Sequence, residues 1–425
     1  MTVALFGTLF LMLLLTVPIA ISMGVAVLVA LYTSDAFTPL LVIVQRMFTA
    51  VDNFPFMAVP FFILAGNLME KGGISKRLIS FSKMILGKLP ASLAIITTAA
   101  SAFFGAISGS NPATVAAIGG LMVPEMVKVG YPKDKAAAIA ASSGTLGVII
   151  PPSISMVTYG VTASVSVGTM FIAGIIPGLL LASGIIITSI ITCRQYEEKD
   201  QSIFSLKAFG LAFKDAIWAL LMPVIILGGI YGGIFTPTEA SSVSCIYALI
   251  VSRYIYKEIS YKDLPKIFSK SATSTAVVLF IVALSAPFSW LMTSAGLPTQ
   301  IAQTMLGTLQ NRFLILFMIN VVLLLLGCFL ETQSIILLMT PMLLPLAAQL
   351  GIHPVALGII MIINTSIGMI TPPMAVNLFV ATEISKITLE QISKRILPFL
   401  FAETLVLLLL TYFSDIIMWL PSVLS

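Results

Sequence analysis

Two apolar stretches 221 residues apart carry the same pattern of proline and glycine. In the first, Pro124 is followed six residues later by Gly130, and the pair Pro151-Pro152 stands 21 residues beyond that glycine. In the second, Pro345, Gly351 and Pro372-Pro373 keep the same spacings. The flanks agree as well: Leu146-Gly147-Val148-Ile149-Ile150 leads into the first pair and Ile367-Gly368-Met369-Ile370-Thr371 into the second. A helix-interior proline removes a backbone hydrogen bond and clashes with the preceding turn, at about 3 kcal/mol or more. The repetition predicts a broken helix in each half, and paired breaks in two hydrophobic halves point to a transporter-like binding site.

The rest of the chain sets the solvent in which these breaks sit. It is 59% hydrophobic and only 9% charged, with a mean hydropathy of +1.10, where a soluble domain carries about 25% charged residues. This is an integral membrane protein. Long apolar runs between short charged loops indicate helices rather than a barrel, whose strands read as alternating segments of about ten residues. The net charge of +5 is no nucleic-acid signature, because the basic residues fall in short loops that orient the spans. Residues 3–31 have no preceding Lys or Arg and exceed an h-region in length, so they read as a retained span rather than a signal peptide. Cys193, Cys245 and Cys328 show no metal-ligand spacing and read as small hydrophobes.

Nine full spans are predicted, at 3–31, 54–70, 134–160, 168–193, 214–235, 238–256, 271–294, 354–380 and 396–420. Two longer apolar stretches, 90–128 and 312–350, are broken by Ser108-Gly109-Ser110-Asn111-Pro112 and by Glu331-Thr332-Gln333-Ser334. Each is either two spans with a tight turn or a re-entrant hairpin whose tip is buried in protein. The small, polar, capping character of the tips favours hairpins. Segments 36–52, 74–88, 297–311 and 384–395 are too short or too polar to span and suit interfacial arm helices.

Charge placement gives the topology. Segment 71–88 holds Lys71, Lys76, Arg77, Lys83 and Lys88, whereas its counterpart 292–311 holds no Lys or Arg. Loop 128–135 carries Lys128, Lys133 and Lys135, whereas 349–356 has only His353. Under the positive-inside rule the first set faces the cytoplasm and the second faces outward, so the halves are inverted. An odd number of spans between 71–88 and 292–311 agrees, with the basic loops 194–214, 253–270 and 386–395 inside. The N-terminus then lies in the cytoplasm and the C-terminus outside. The chain divides into 1–53, a scaffold span and interfacial helix; 54–160, the first repeat; 161–270, connecting scaffold helices; 271–382, the second repeat; and 383–425, an interfacial helix and last span.

In an inverted fold the tips and breaks of both repeats meet near the bilayer midplane. Freed carbonyls with hydroxyl and amide oxygens make a site for a small hard cation such as sodium. The sodium candidates are Ser108, Ser110, Asn111, Gly144 and Thr145 in the first repeat, and Glu331, Thr332, Gly368 and Thr371 in the second. Helix N-termini at the same breaks present free N–H groups to an anion. The substrate candidates are therefore Ser110, Asn111, Pro152, Thr365, Ser366 and Pro373. Offset by 221, Ser110 falls on Glu331 and Ser143 on Asn364. Glu331 is the only acidic residue within 313–382. A charged carboxylate there costs at least about 2.5–3.5 kcal/mol unless it is paired, so Glu331 either holds a cation or is a protonated structural brace. Asn111 before Pro112 also reads as a plain helix N-cap. Glu239, in Thr236-Pro237-Thr238-Glu239, reads as a capping-box acid, and Asn67 and Glu70 read as interfacial.

Ser108 through Gly119, Leu146 through Ile154, Gly368 through Pro373 and Pro237-Thr238-Glu239-Ala240 together resemble the large membrane (M, DctM-like) subunit of tripartite ATP-independent periplasmic (TRAP) transporters. The resemblance covers essentially the whole chain. It departs from the pattern at Asn111-Pro112, where a small residue often follows the Gly-Ser, and at Met374-Ala375, where Val-Gly is commoner. It implies an all-α inverted-repeat, ion-transporter-like elevator fold in the bacterial inner membrane. It further implies sodium-driven uptake of an organic acid of the C4-dicarboxylate or sialic acid type, with a lean towards sialic acid. The implied partners are a periplasmic binding protein and a small four-helix membrane subunit on a separate polypeptide, with no cofactor beyond sodium as coupling ion. Ser108, Ser110, Asn111 and Glu331 match positions near that family's sodium and substrate sites.

Other classes fit less well. An intramembrane serine hydrolase would need His353, the only histidine, as base for Ser108 or Ser110, yet the topology puts His353 at the outer surface and the serines in the core. A passive channel needs no inverted pair of broken helices. An ATP-driven pump needs a Walker motif, which the chain lacks.

Overall fold

The computed structural model describes residues 1–33, 40–196, 206–309 and 311–424, and among these residues the regular structure is helical. In chain order the helices are α1 (Thr2–Leu14), α2 (Ile19–Tyr32), α3 (Leu40–Val51), α4 (Ala58–Lys71), α5 (Ile74–Leu86), α6 (Ser92–Ser108), α7 (Asn111–Thr114), α8 (Gly120–Lys128), α9 (Lys133–Ser143) and α10 (Ile154–Thr162). There follow α11 (Val167–Cys193), α12 (Leu206–Tyr231), α13 (Pro237–Ile250), α14 (Leu264–Ser294), α15 (Leu297–Leu309), α16 (Arg312–Phe329), α17 (Thr332–Gln349), α18 (Pro354–Gly368), α19 (Val376–Ser385), α20 (Leu389–Tyr412) and α21 (Asp415–Leu424). Residues 36–39 of the expected first arm, Lys199 and residue 310 lie outside the described residues.

Six of the described helices are long and apolar enough to cross a bilayer: α11, the Phe209–Tyr231 part of α12, α14, α16, α17 and α20. A seventh passage is formed if α3 and the segment Phe54–Lys71, bent by 59° at a short break, count as one. Nine full spans are therefore not what helix length and composition give. Two of the expected spans are divided differently. Residues 3–31 are two helices of 13 and 14 residues that pack against each other. The break falls at Thr16, whose φ of 60° ends the first helix, and at Pro18, which caps the second. Placing the N-terminus inside relied on a single passage there. At the other end, α20 begins at the capping box of Thr388 and Gln391 and runs unbroken to Tyr412, absorbing most of the arm expected at 384–395. The last residues of the expected span 396–420 belong to the separate α21.

The repeat seen in the sequence is a repeat of helices. Moved by 221 residues, Ser108 at the end of α6 falls on Phe329 at the end of α16. Asn111 at the start of α7 falls on Thr332 at the start of α17, and Lys133 at the start of α9 falls on Pro354 at the start of α18. The copies differ inside the second arm. The first passes through a π-helical turn at Val115–Gly119 before Pro124, whereas α17 stays helical past Pro341 and Pro345. After α9 a 3-10 turn (Gly144–Val148) leads into the first proline pair, and α18 ends just before the second.

The motif glycines ahead of each proline pair are explained by close packing. A Cβ on Gly147 would lie 2.5 Å from the Ser110 carbonyl oxygen, and one on Gly368 would lie 2.5 Å from the Gly327 Cα. No side chain fits, so each break is pressed directly against the backbone of its own repeat's helical pair.

At the start of α13 the expected capping box is present: Thr236 Oγ1 accepts from the Glu239 N–H, and the Glu239 carboxylate accepts from the Thr236 N–H at 2.8 Å. Thr236→Ala is expected to cost about 1 kcal/mol of stability and to leave transport unaltered. Thermal unfolding in detergent beside an uptake assay checks this. Loss of uptake at unchanged stability would give the box a transport role instead.

Candidate functional site

The tips of the two helical pairs meet at one cavity of about 410 Å³. The first tip brings Ser108, Ser110 and Asn111 to its wall; the second brings Glu331, Thr332 and Gln333. Local rules place them there. Gly109 ends α6 in the left-handed region at φ 59°, and a Cβ on it would meet the Ile154 nitrogen at 3.1 Å. That conformation is open to glycine at little cost, and it seats the tip against the start of α10. Ser110 is the N-cap of α7 in extended backbone, and Glu331 is the N-cap of α17 in the same conformation. Neither side chain caps its own helix, which leaves both free to face the cavity.

Asn111 departs from the capping role expected of it. It is the first residue of α7 rather than its cap, and its amide reaches across the molecule. Nδ2 donates to Ser366 Oγ at 2.7 Å, and Oδ1 accepts from the Val148 N–H at 2.9 Å. Ser366 Oγ in turn donates to the Thr145 carbonyl at 2.8 Å across a sequence separation of 221. Thr145 and Ser366 are thus the same position in the two repeats, and this bond joins the two breaks.

The remaining expected site residues lie behind the cavity rather than on it. Thr145, Thr365 and Ser366 are fully buried; the Thr145 hydroxyl donates to the Ser142 carbonyl at the end of α9, and the Thr365 hydroxyl donates to the Met361 carbonyl of its own helix. The Thr371 hydroxyl likewise returns to the Ile367 carbonyl at 2.8 Å. Gly144 and Gly368 are buried in the breaks. Pro152 is buried beside Gly109, whereas Pro373 is exposed. Of the expected site residues, Ser108, Ser110, Asn111, Glu331 and Thr332 line the cavity.

Other wall residues were missed. Asn67 and Glu70, whose place in the sequence suggests the interface, line the cavity from α4, and Lys270, at the end of a basic loop segment, lines it from α14. Lys270 Nζ lies 3.2 Å from Glu70 Oε2, and Asn67 Nδ2 donates to Ser271 Oγ at 2.9 Å. Ser155 of α10 accepts from Gln333 Nε2 at 3.3 Å, joining the first break to the second tip. Their signal was a spacing: Asn67 and Glu70 are three apart, on one helical face.

The chemistry of this wall is oxygen-rich. Ser108 Oγ sits 3.1 Å from Thr114 Oγ1, and the Ser110 carbonyl accepts from the same threonine at 2.8 Å. Glu331 is accessible to solvent through the cavity and adds a carboxylate. Hydroxyls, carbonyls and the Glu331 carboxylate suit a small hard cation, and Lys270 with the N–H groups at the helix starts suit an anion. His353 lines a different cavity of about 1220 Å³, where its Nδ1 accepts from the Val355 N–H, so it does not join Ser108 or Ser110.

The sequence matches the family described as tripartite ATP-independent periplasmic transporter, DctM component, over residues 6–416. The isethionate TRAP transporter permease protein DctMQ of Oleidesulfovibrio alaskensis is 43% identical over 98% of this chain, which spans 65% of that relative's length. The C4-dicarboxylate TRAP transporter large permease protein DctM of Rhodobacter capsulatus is 38% identical over 99% of this chain and 98% of its own. The sialic acid TRAP transporter large permease protein SiaM of Vibrio cholerae is 36% identical over 89% and 88%. The YdaH transporter of Alcanivorax borkumensis shares the fold, with a TM-score of 0.61 over 88% of each chain at 15% identity.

Proposed function

Because this chain belongs to the DctM component family of tripartite ATP-independent periplasmic transporters and is an inner-membrane permease, we propose that it carries a small organic anion inward, driven by sodium. The observation that carries this reading is the single cavity at which Ser108, Ser110 and Asn111 of one repeat meet Glu331 and Thr332 of the other. A sodium ion there would offset the Glu331 charge and draw on the Ser108 and Thr332 hydroxyls and carbonyls freed at the breaks. Ion and anion would share one pocket, so that filling the first lowers the cost of holding the second.

The pairs α6 with α7–α8 and α16 with α17 are then re-entrant hairpins, each buried at its tip. The body carrying them moves as an elevator against α3, α4 and α14. Three relatives are named for isethionate, C4-dicarboxylates and sialic acid, so the cargo class is an organic acid with a carboxylate or sulfonate group. A periplasmic binding protein delivers it at the outer face, and a small membrane subunit completes the permease.

Reconstitution in liposomes with the small subunit and candidate binding proteins tests the reading. Uptake of at least one of isethionate, succinate or N-acetylneuraminate is expected under an inward sodium gradient, and collapse of that gradient is expected to stop it. Equal uptake with and without the gradient would remove sodium coupling.

A further inference from the structure

The cavity at the tips is one end of a longer seam. A second cavity, of about 460 Å³, is lined by Arg46, Asn53, Thr162, Ser285, Trp290 and Pro341 among others. Both cavities share walls: α10, α14, α17 and the bent passage of α3 and α4. Lys270 marks the first along α14 and Trp290 the second. The first lining runs along α14 as far as Val278 and the second begins at Val282, one turn on, so the cavities follow one another. At 1.5 Å per residue Lys270 and Trp290 stand about 30 Å apart, the thickness of a bilayer's hydrocarbon core.

Each end holds one cation, and the two are held differently. Lys270 is paired with Glu70 at 3.2 Å. The Arg46 guanidinium lies over the Trp290 ring, 4.7 Å from its centroid, and among the described residues no ion pair includes it. No Asp or Glu lines its cavity. Stacking on an indole orients a guanidinium without cancelling its charge, and its planar donors match a carboxylate or sulfonate. The positions are also related by the repeat: moved by 221 residues, Lys270 falls on Thr49, one turn from Arg46 on α3.

We propose that Arg46 and Lys270 are alternating counter-ions for the anionic cargo, Arg46 receiving it at the outer end of the seam and Lys270 at the inner end. This rests on the preceding reading, in which one organic anion is passed between the two faces. At the inner end the anion replaces Glu70 as the partner of Lys270. At the outer end it meets a guanidinium already aimed into the cavity, so recognition there needs no pair to be broken.

Trp290 supplies a direct reporter. With Trp218→Phe and Trp419→Phe leaving it as the sole tryptophan, the full chain in phosphatidylcholine nanodiscs is titrated with sodium isethionate, succinate and N-acetylneuraminate against sodium chloride. A saturable change in Trp290 emission is expected for at least one organic anion. Arg46→Gln is expected to raise its midpoint about tenfold or more and Arg46→Lys to restore most of it, as for loss of one charge-assisted contact. In proteoliposomes of defined orientation, Arg46→Gln is expected to raise KM about tenfold from the outer face only, and Lys270→Gln from the inner face only. An Arg46→Gln titration matching the parent overturns the proposal. So does an emission change that follows phosphatidylglycerol content and ignores soluble anions, which would make the site a lipid-headgroup contact. If the parent transports an organic anion but Arg46→Gln leaves the outer KM unchanged, this inference fails alone. If the parent transports none, the function reading fails, and the titration still decides whether the outer cavity binds anions.

Discussion

Glu331→Gln is expected to lower sodium-driven uptake at least tenfold and to leave expression and unfolding temperature close to the parent's. The substitution keeps the shape of the side chain and removes its charge. Glu331 starts α17 without capping it, so the helix loses no hydrogen bond that the carboxylate supplies in this structure. What is lost is the one carboxylate that the second tip offers the cavity. A charge at the centre of a membrane helix costs about 2.5–3.5 kcal/mol on insertion scales, and a bound cation offsets that cost. The start of α17 contributes in the same sense, because a helix N-terminus carries about half a positive charge. Glu331→Asp shortens the side chain and keeps the charge, so it should retain sodium dependence at a higher half-maximal sodium concentration. Parent-like uptake with unchanged sodium dependence in the glutamine variant would make Glu331 a brace.

The repeat was legible in the sequence because its signals are backbone signals. Proline fixes its own φ and removes a donor, and glycines and small polar residues stand where a helix stops or another backbone comes close, so 221-residue periodicity in those types became periodicity in helix ends. Spans were less legible, because hydropathy reports solvent and not continuity. Residues 3–31 are apolar throughout, and only Thr16 and Pro18 record that the helix stops. The cavity was half legible. Its tip residues could be named because each interrupts an apolar run. Its other walls could not, because Glu70 and Lys270 sit at helix ends where loop charges also sit, and only the packing of α4 on α14 turns them inward. Asn111 was misread for a related reason: Asn before Pro is good capping chemistry locally, and the partners that outbid the cap lie 37 and 255 residues away.

Those partners set the second large effect. Asn111→Ala removes the donor to Ser366 and leaves the buried Val148 N–H without its acceptor. An orphaned buried polar group costs about 1–3 kcal/mol, and the vacated volume adds to it. Asn111→Ala should therefore lower the unfolding midpoint in detergent by several degrees, with a larger fall than Thr236→Ala. A cycle of Asn111→Ala, Ser366→Ala and the double variant isolates the link between the halves. Interhelical hydrogen bonds in membranes couple by about 0.6 kcal/mol on average and up to about 1.7, and this pair should fall in that range because both groups are buried and the bond is short at 2.7 Å. A coupling energy indistinguishable from zero would mean that the two repeats meet at this point without holding each other. A measurable one would mean that the first tip and the second broken helix move as one body, because the bond joining them would have to break before they could separate.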